Sequence, residues 1–383
     1  MMGWGAALLL LPGAAGGRQS LSLDGRWQFR LDPNDTALAS RWYAAELPPH
    51  TAAAFRPIAV PGTWGAQGFG EPWRCSMTPH KPMPYCDGGN SVKHHHYGAA
   101  IYRLQLPSNA SSPPPQPRQR VFVVFDGVMR AVRLWVNGVA AEGGAEKVGQ
   151  NSAHEFDVTE LLRAGAGAAP TVLAVRVHNV MNSTLGDCLD GKMNDLQMGG
   201  LIGSVRLETR PAIWLDEVYV RPDFSATLGS YDRVTVVASA VVRGADLPPG
   251  AALRLRIDGG GQAEAAAPTV ALVRTAERIS AGNTVNVSVV LDAPKLWSPS
   301  SPALHVATLS LGSGSGSDAT TTRFGIRQVA TKHGQFLLNG KPLFISGYQS
   351  NFQYGEHEYG FPDLEHYKKR LMVAKAMGFN AVR

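Results

Sequence analysis

The sequence is poor in cysteine, in long apolar runs and in clustered charge of one sign. Its 383 residues include only 3 cysteines, and their spacing never matches the CxxC pairs of zinc sites. The 11 histidines form no HxxxH pair either, so we predict neither a metal site nor a cofactor. The histidines at 94–96 precede a strand, where alternation sends neighbouring side chains to opposite faces. No apolar run is long enough to cross a bilayer, and we expect no membrane span.

The basic residues do not form the patch that nucleic-acid binding requires. With 36 lysines and arginines against 30 acidic residues, the net charge is +6. Arginines such as Arg130, Arg133, Arg254 and Arg256 are scattered along predicted strands, and only the RQR run at 118–120 is dense. A nucleic-acid footprint needs a clustered basic face. We therefore predict a solvated surface and no nucleic-acid partner.

The first residues indicate export from the cytosol. Residues 1–17, MMGWGAALLLLPGAAGG, combine an apolar stretch with small residues, which is typical of a signal peptide. The basic segment that usually precedes the apolar stretch is missing, so a flexible tail is the alternative. We predict a secreted, extracellular or vacuolar-lysosomal protein. Four Asn-x-Ser/Thr sites for glycosylation support this localisation, at Asn34, Asn109, Asn182 and Asn286.

Two of the cysteines are candidates for a disulfide. Cys75 and Cys86 enclose a short, turn-rich loop. A bridge between them is expected to stabilise the fold by about 2–4 kcal/mol. Cys188 is then left over, either buried or free.

Short apolar runs between turn signals dominate the first half of the chain, residues 18–212. The run at 120–128 is almost continuously apolar, which predicts a central strand buried on both faces. The Asn-Gly pair at 137–138 predicts a tight hairpin. Many short strands without helices favour a mainly β fold, here a jelly-roll β-sandwich.

The remaining residues divide into two further regions. Residues 213–322 repeat the pattern of short strands over the length of a small immunoglobulin-like β-sandwich. Residues 323–383 then show a strand at 343–348, apolar residues at helical spacing over 364–377, and a second strand after Gly378. Strand, helix and strand form one βαβ unit, and a closed barrel of such units needs roughly 250 residues. We therefore predict the first unit of an incomplete (β/α)8 TIM barrel.

Several motifs, taken in order, resemble family 2 of the glycoside hydrolases, the group of β-galactosidases, β-glucuronidases and β-mannosidases. Each motif alone is weak, but together they are specific and cover nearly the whole chain after the leader. They are LDGRWQFRLD at 23–32, VPGTW at 60–64, LWVNGVAAEGG at 134–144, HEFDVTELL at 154–162, GGLIGSVRLE at 199–208, KLWSPSSPALHVATLSL at 295–311 and FGIRQVATKHGQFLLNGKPLFISG at 324–347.

The resemblance implies a jelly-roll sugar-binding domain, an immunoglobulin-like sandwich and a catalytic barrel. It implies an exo-β-glycosidase that hydrolyses a terminal β-linked sugar with retention, which needs two carboxyl groups about 5–5.5 Å apart. In the family these are glutamates on later barrel strands, the first of them in an Asn-Glu pair. This sequence has no Asn-Glu pair, so we assign no catalytic residue and expect an N-terminal portion that is inactive alone.

The resemblance also indicates residues that line the substrate pocket. FNAVR at 379–383 resembles the second barrel strand of the family, whose arginine helps to hold the nucleophilic carboxylate, and Arg383 occupies that position. A solvated terminal arginine is the alternative. Asp195 resembles a loop acid that reaches toward the sugar in relatives, with Asp190 as a weaker rival and a loop-capping role as the alternative.

The segment after the first barrel strand departs from the family pattern. Many members carry Gly-x-Asn-x-His there, whereas Gly347 is followed by Asn351 and the histidine is missing. The sugar therefore cannot be named from these motifs. We predict that Asn351 and Glu356 line the substrate. Glu356 and Glu358 lie on one loop and offer no opposed faces around a sugar, so a solvated loop is the alternative rather than catalysis.

Two functions follow from the sequence. The first is the N-terminal portion of a family 2 exo-β-glycosidase whose partner is a carbohydrate. The second is a non-catalytic module in which the two sandwiches bind carbohydrate or another molecule. The sequence leaves the oligomeric state open.

Overall fold

The computed structural model describes most of the chain and is mainly β. The described residues are 17–72, 94–106, 115, 119–165, 170–179, 199–224, 231–246, 251–258, 269–274, 282–312, 318–349 and 364–383. They form two compact units, whose principal segments are Ser20–Glu208 and Thr209–Gln349. The predicted order of fold types, two β-sandwiches followed by a βαβ unit, is confirmed. The domain boundaries given above stay a prediction.

The first unit is a β-sandwich built around one long strand. Its helices are α1 (Pro49–Ala52) and α2 (Thr159–Ala164), with a 3-10 turn at Ala141–Gly144. Its strands are β1 (Gln19–Ser22), β2 (Gly25–Asp32), β3 (Arg56–Val60), β4 (Gly62–Thr63), β5 (Glu71–Pro72), β6 (His94–His95), β7 (Ala99–Gln105), β8 (Gln119–Val136), β9 (Val139–Ala140), β10 (Lys147–Asp157), β11 (Val172–His178), β12 (Gly200–Leu201) and β13 (Val205–Pro211).

Strand β8 occupies the centre of this unit, as its apolar run predicts. The strand order is β1-β13-β8-β11-β7-β2-β3, and β9, β10 and β12 also pair with β8. Val121–Phe125 are all buried, because both faces of this part of β8 are covered. The Asn-Gly hairpin is also present: Asn137 and Gly138 have φ of 49° and 80° between β8 and β9. The fully buried rings of Trp27, Phe29 and Tyr102 belong to the core that these strands enclose.

The second unit is a smaller sandwich of two antiparallel sheets. Strict alternation along Thr284–Asp292, with every second residue buried, shows one face in the core and one in solvent. The sheets have the orders β14-β15-β18 and β17-β16-β19-β20. The strands are β14 (Ile213–Asp223), β15 (Arg233–Gly244), β16 (Ala252–Asp258), β17 (Thr269–Arg274), β18 (Thr284–Asp292), β19 (His305–Leu311) and β20 (Asp318–Phe324).

Arg18, near the start of the described chain, forms an ion pair with a buried aspartate of this second unit. The guanidinium of Arg18 donates from Nε and Nη2 to the two carboxylate oxygens of Asp318, at 2.6 and 2.7 Å. Asp318 is fully buried and also accepts the backbone N–H of Leu215 at 2.7 Å. Because every oxygen of this carboxylate has a donor, the buried charge is compensated.

The last region begins with a small antiparallel sheet and continues into the predicted βαβ unit. The sheet contains β21 (Val329–Lys332), β22 (Gln335–Leu338) and β23 (Lys341–Pro342). It is followed by β24 (Gly347–Tyr348), α3 (Leu364–Ala376) and β25 (Ala381–Val382).

Most apolar side chains of this βαβ unit are exposed, as we expect for strands of this kind that no neighbouring strands and helices cover. The run at 343–348 predicts a buried strand, but only Gly347–Tyr348 pairs as a strand and Phe344 is 85% exposed. Of the apolar stripe on α3, Ala374 is buried, whereas Leu364 and Met377 are 67% and 71% exposed. Residues with the spacing of a buried helix face are thus exposed in the described chain.

Candidate functional site

Two neighbouring parallel strands end at one edge and bring polar side chains together there. Strands β24 and β25 pair in parallel, with Gly347 opposite Ala381 and Tyr348 opposite Val382. The carboxyl ends of parallel strands meet at the same edge, which is where barrel enzymes carry their active sites. The residue after each strand, Gln349 and Arg383, lies at this edge. We call these two residues and the strand ends that carry them the barrel edge.

The two polar residues of the barrel edge contact each other. The backbone N–H of Arg383 donates to the carbonyl oxygen of Tyr348 at 3.0 Å, which extends the parallel ladder to the end of β25. Its guanidinium Nη1 donates to Oε1 of Gln349 at 3.2 Å. Arg383 and Gln349 are both exposed. The edge therefore presents a permanent positive charge next to an amide, a pair able to hold a carboxylate.

Local features of the sequence hold this edge in place. Gly378 has a φ of +87°, which ends α3 and turns the chain toward β25. Asn380 then joins the two strands: its Oδ1 accepts the N–H of Ser346 at 2.9 Å, and its Nδ2 donates to the carbonyl of Phe344 at 2.8 Å. The ring of Tyr348 lies 5.3 Å from the ring of Phe379. Asn380 was missed as a positioning residue; an Asn before an apolar strand was the available signal.

A second group of motif residues gathers at one end of the first unit. Strand β12 pairs with both β4 and β8, so the VPGTW motif lies against Gly199–Leu201. The N–H of Trp64 donates to the carbonyl of Gly199 at 3.0 Å. A side chain at Gly199 would begin 1.8 Å from the Trp64 ring, which explains the glycine. Trp64 is only 1% exposed, so it packs in the core and is not available to stack on a sugar.

Asn179 forms hydrogen bonds to the backbone of residues 96–98 at this end of the first unit. Its side chain donates to the carbonyl of His96 at 2.8 Å and accepts the N–H of Gly98 at 2.9 Å. It is completely buried, so these bonds replace the water that it loses. His96 contacts the carbonyl of Ala99 through Nε2 at 3.1 Å, as expected for a structural rather than a metal-binding histidine. Among the described residues, no group of three histidine, cysteine or acidic side chains could hold a metal ion.

A row of charges covers the outer face of strands β8 and β11. Arg176 is buried and its guanidinium lies 2.7 Å from Asp35 Oδ1 and 3.1 Å from Glu146 Oε1. The pKa of His178 on the same strand is lowered, chiefly by burial and then by the charge of Arg176. Because burial accounts for most of this shift in pKa, the shift does not indicate catalysis.

Comparison with known proteins places these features in a family. The model described as "Glycosyl hydrolases family 2, sugar binding domain" matches residues 21–211, and the model described as "Glycosyl hydrolases family 2" matches residues 214–327. The chain belongs to glycosyl hydrolase family 2. The resemblance found in the motifs is thereby confirmed.

The family 2 relatives are longer than this chain. It is 24% identical over 376 residues to a β-galactosidase of Pseudoalteromonas haloplanktis and 27% identical over 385 residues to one of Vibrio vulnificus. In both cases the match covers 95% of this chain and 33% of the relative. The chain thus spans about a third of the length of the curated relatives that it matches.

Solved structures agree on the fold. A β-glucuronidase of Bacteroides uniformis superimposes with a TM-score of 0.68 at 18% identity, over 96% of this chain and 39% of that protein. A β-glucuronidase of Lactobacillus rhamnosus gives 0.68 at 19% identity, over 98% and 56%. At these identities the likeness establishes the family 2 architecture and not the substrate.

The predicted family 2 site residues are only partly described. Arg383 lies on the barrel edge. Asn34 and Asn286 are exposed, as sites of glycosylation must be, although their modification stays a prediction. The remaining candidates lie outside the described residues: Asp195, Asn351, Glu356, Cys75, Cys86, Asn109 and Asn182.

Proposed function

We propose that this chain is the N-terminal part of a retaining exo-β-glycosidase that hydrolyses a terminal β-linked sugar. The observation that carries the proposal is the parallel pair β24–β25 with Arg383 at its carboxyl end, following two family 2 domains. Curated relatives over 95% of the chain are named β-galactosidases, which supports a β-glycoside as substrate. The sugar itself is not assigned.

In this proposal Arg383 orients the carboxylate nucleophile. Its side chain lies at the end of the second barrel strand, and a guanidinium there can donate two parallel hydrogen bonds to a carboxylate. The positive charge favours the ionised carboxylate, which is the form that attacks the sugar. Asp195, Asn351 and Glu356 are proposed to contact the sugar from loops.

The acid/base and the nucleophile belong to a longer product in this proposal. We therefore expect the 383-residue chain to bind carbohydrate without hydrolysing it. The protein is proposed to be exported, with residues 1–17 as its signal peptide, to the cell exterior or to a vacuolar-lysosomal lumen. Within the described residues, no helix combines the length and apolarity that crossing a membrane demands.

The test compares the 383-residue chain with the product of the coding sequence that continues beyond Arg383. Both are assayed with aryl β-galactosides, β-glucuronides and β-mannosides, and the anomer first released is identified by NMR. The longer product is expected to turn over one class with retention, and the Arg383→Ala variant about a hundredfold more slowly. Turnover by the purified 383-residue chain would refute the absence of its catalytic pair.

A different result would favour the non-catalytic alternative. If the coding sequence stops at Arg383, or if the longer product hydrolyses no glycoside, the glycosidase proposal fails. If every protein made from this coding sequence then binds carbohydrate specifically but hydrolyses none, the result supports a binding module.

A further inference from the structure

The first unit carries a cavity to which no role has been assigned above. It has a volume of about 620 Å³, within the usual range for small-molecule sites. Strands β2 and β7 provide its floor, and the segment from Ala45 to Pro57 provides its wall. We call this cavity the outer groove.

The floor of the outer groove is polar because it is the side of the sheet that faces away from the core. Trp27 and Phe29 are buried in the core, so alternation puts Arg26 and Gln28 on the opposite face. Gln28 pairs directly with Arg103 on β7, and paired residues share a face. Gln105 follows two residues later on the same face. Two guanidinium groups and two primary amides therefore line one floor.

The wall of the groove is fixed by a buried arginine. Arg103 is 5% exposed, and its Nη1 donates to the carbonyls of Trp42 and Ala44, both at 2.7 Å. Its Nη2 donates to the carbonyl of Ala45 at 3.0 Å. These partners are neutral, so they hold the wall in place without cancelling the charge. The groove is thus pre-formed and carries a buried positive charge at its base.

The charged residues that line the groove are all arginines. Arg26 is exposed and lines the cavity together with Arg103. The charge of Arg56 does not belong to this floor, because Arg56 pairs with Phe29, whose side chain lies on the core face of the sheet. The guanidinium of Arg56 lies 4.6 Å from the ring of Phe69. No aspartate or glutamate within the described part of the chain lines this cavity, and Glu46 on the wall segment is exposed to solvent. A concave surface with one sign of charge attracts a ligand of the opposite sign.

We propose that the outer groove binds an acidic saccharide, one that carries a carboxylate or a sulfate. Arg26 pairs with the anionic group, because a guanidinium matches the two oxygens of such an anion. Gln28 and Gln105 offer donors and acceptors for neighbouring hydroxyl groups. Phe55 and Pro57 supply apolar surface for the carbon face of the ring. The proposal does not depend on hydrolysis, since the groove lies within the first unit.

The test measures binding by the 383-residue chain with isothermal titration calorimetry. The probes are trigalacturonic acid, a sulfated heparin tetrasaccharide, neutral maltotriose and sodium sulfate. At least one acidic saccharide is expected to bind at least tenfold more tightly than maltotriose and than sulfate. Equal binding of acidic and neutral saccharides, or equal binding of sulfate alone, would overturn the proposal.

Variants locate the site. Arg26→Glu is expected to weaken binding of the acidic saccharide at least tenfold. Arg254→Glu is the matched control, because Arg254 is an exposed arginine on a strand of the second unit, and it should change binding less than twofold. Circular dichroism checks that both variants are folded. Equal effects of Arg26→Glu and Arg254→Glu would exclude the outer groove as the binding site. Gln28→Ala is a second variant of the floor, and it leaves the positive charge of the groove unchanged.

Discussion

The sandwiches and the βαβ segment at residues 343–383 follow the same local rules but differ in what covers their apolar side chains. Phe29 in the first unit is fully buried, with ring centroids 4.6 Å from Phe69 and 4.7 Å from Tyr102. Phe344 in the segment is 85% exposed. Both belong to strand-forming sequences, so local pattern does not distinguish them.

This difference separates the formation of an element from its stabilisation. Gly378 ends a helix through its own backbone conformation. Asn380 holds the start of β25 to the segment just before β24 through two hydrogen bonds. Both features are local. Burial of an apolar face needs a second layer packed on it. In a complete barrel, such strands are paired on both sides and covered by helices. Among its described residues, the segment therefore shows the strand pairing of a barrel entry, while Phe344, Leu364 and Met377 stay exposed.

Hydrogen exchange gives the largest expected contrast. The amides of β11, paired on both sides within the first unit, are expected to exchange on the order of a thousandfold more slowly than those of β24 and β25. The described residues of β24 and β25 are not deeply buried, so the free energy of opening this pair should be low. Mass spectrometry of peptic peptides from 172–178, which contains β11, and from 377–383, which contains β25, measures the contrast. Strong protection of the second peptide in a monomer would contradict the comparison.

Truncating one phenylalanine in each region tests the role of burial directly. Phe29→Ala is expected to lower the free energy of unfolding by about 3–5 kcal/mol, since it leaves a cavity among packed rings. Phe344→Ala, the matched control, should change it by less than about 0.5 kcal/mol, since that ring is solvated. Urea denaturation followed by tryptophan fluorescence measures both. Similar losses in the two variants would mean that Phe344 is covered in solution.

Removing one arginine in each region gives a smaller contrast. Arg18→Ala leaves the buried carboxylate of Asp318 without its cation, and we expect a loss of about 2–3 kcal/mol from the second unit. The loss stays below that of a fully buried pair because Arg18 is 19% exposed. Arg383→Ala removes one exposed contact to Gln349 and should cost less than about 0.5 kcal/mol. Thermal unfolding checks both, and an unchanged midpoint for Arg18→Ala would show that the pair contributes nothing.

The smallest effect concerns the barrel edge itself. Asn380→Ala removes two hydrogen bonds to the backbone of Phe344 and Ser346, just before β24. We expect the free energy of local opening at this edge to fall by about 1 kcal/mol. Exchange of the Ser346 and Ala381 amides should then quicken about fivefold, without a change in the unfolding of the sandwiches. Lys368→Ala on the exposed face of α3 serves as control. An unaltered exchange rate in Asn380→Ala would show that Asn380 does not position the edge.

Much of the fold was predictable because its signals are local. The run at 120–128 predicted the central position of β8, and the Asn-Gly pair predicted the turn into β9. Gly378 predicted the end of α3. Buried polar residues were not predicted, because their partners are not local in sequence. Asn179 and Arg103 bind backbone atoms that lie far from them in sequence, and no pattern near them identifies those partners.

The candidate site was predictable only in part. A motif placed Arg383 at the end of a strand, but its contact with Gln349 depends on the parallel pairing of β24 and β25. The outer groove was not foreseen at all. Its arginines and glutamines are scattered over two strands, and they become one floor only because Gln28 pairs with Arg103.

The sequence by itself determined the mainly β character, the order of two sandwiches and a βαβ unit, and the family. These follow from periodicity, turn residues and motifs, all of which are read along the chain. Tertiary structure alone decided that Arg18 neutralises a buried carboxylate and that Arg26 and Arg103 line one cavity. The physical reason is that burial and electrostatic pairing depend on distances in space, which strand pairing sets between residues remote in sequence.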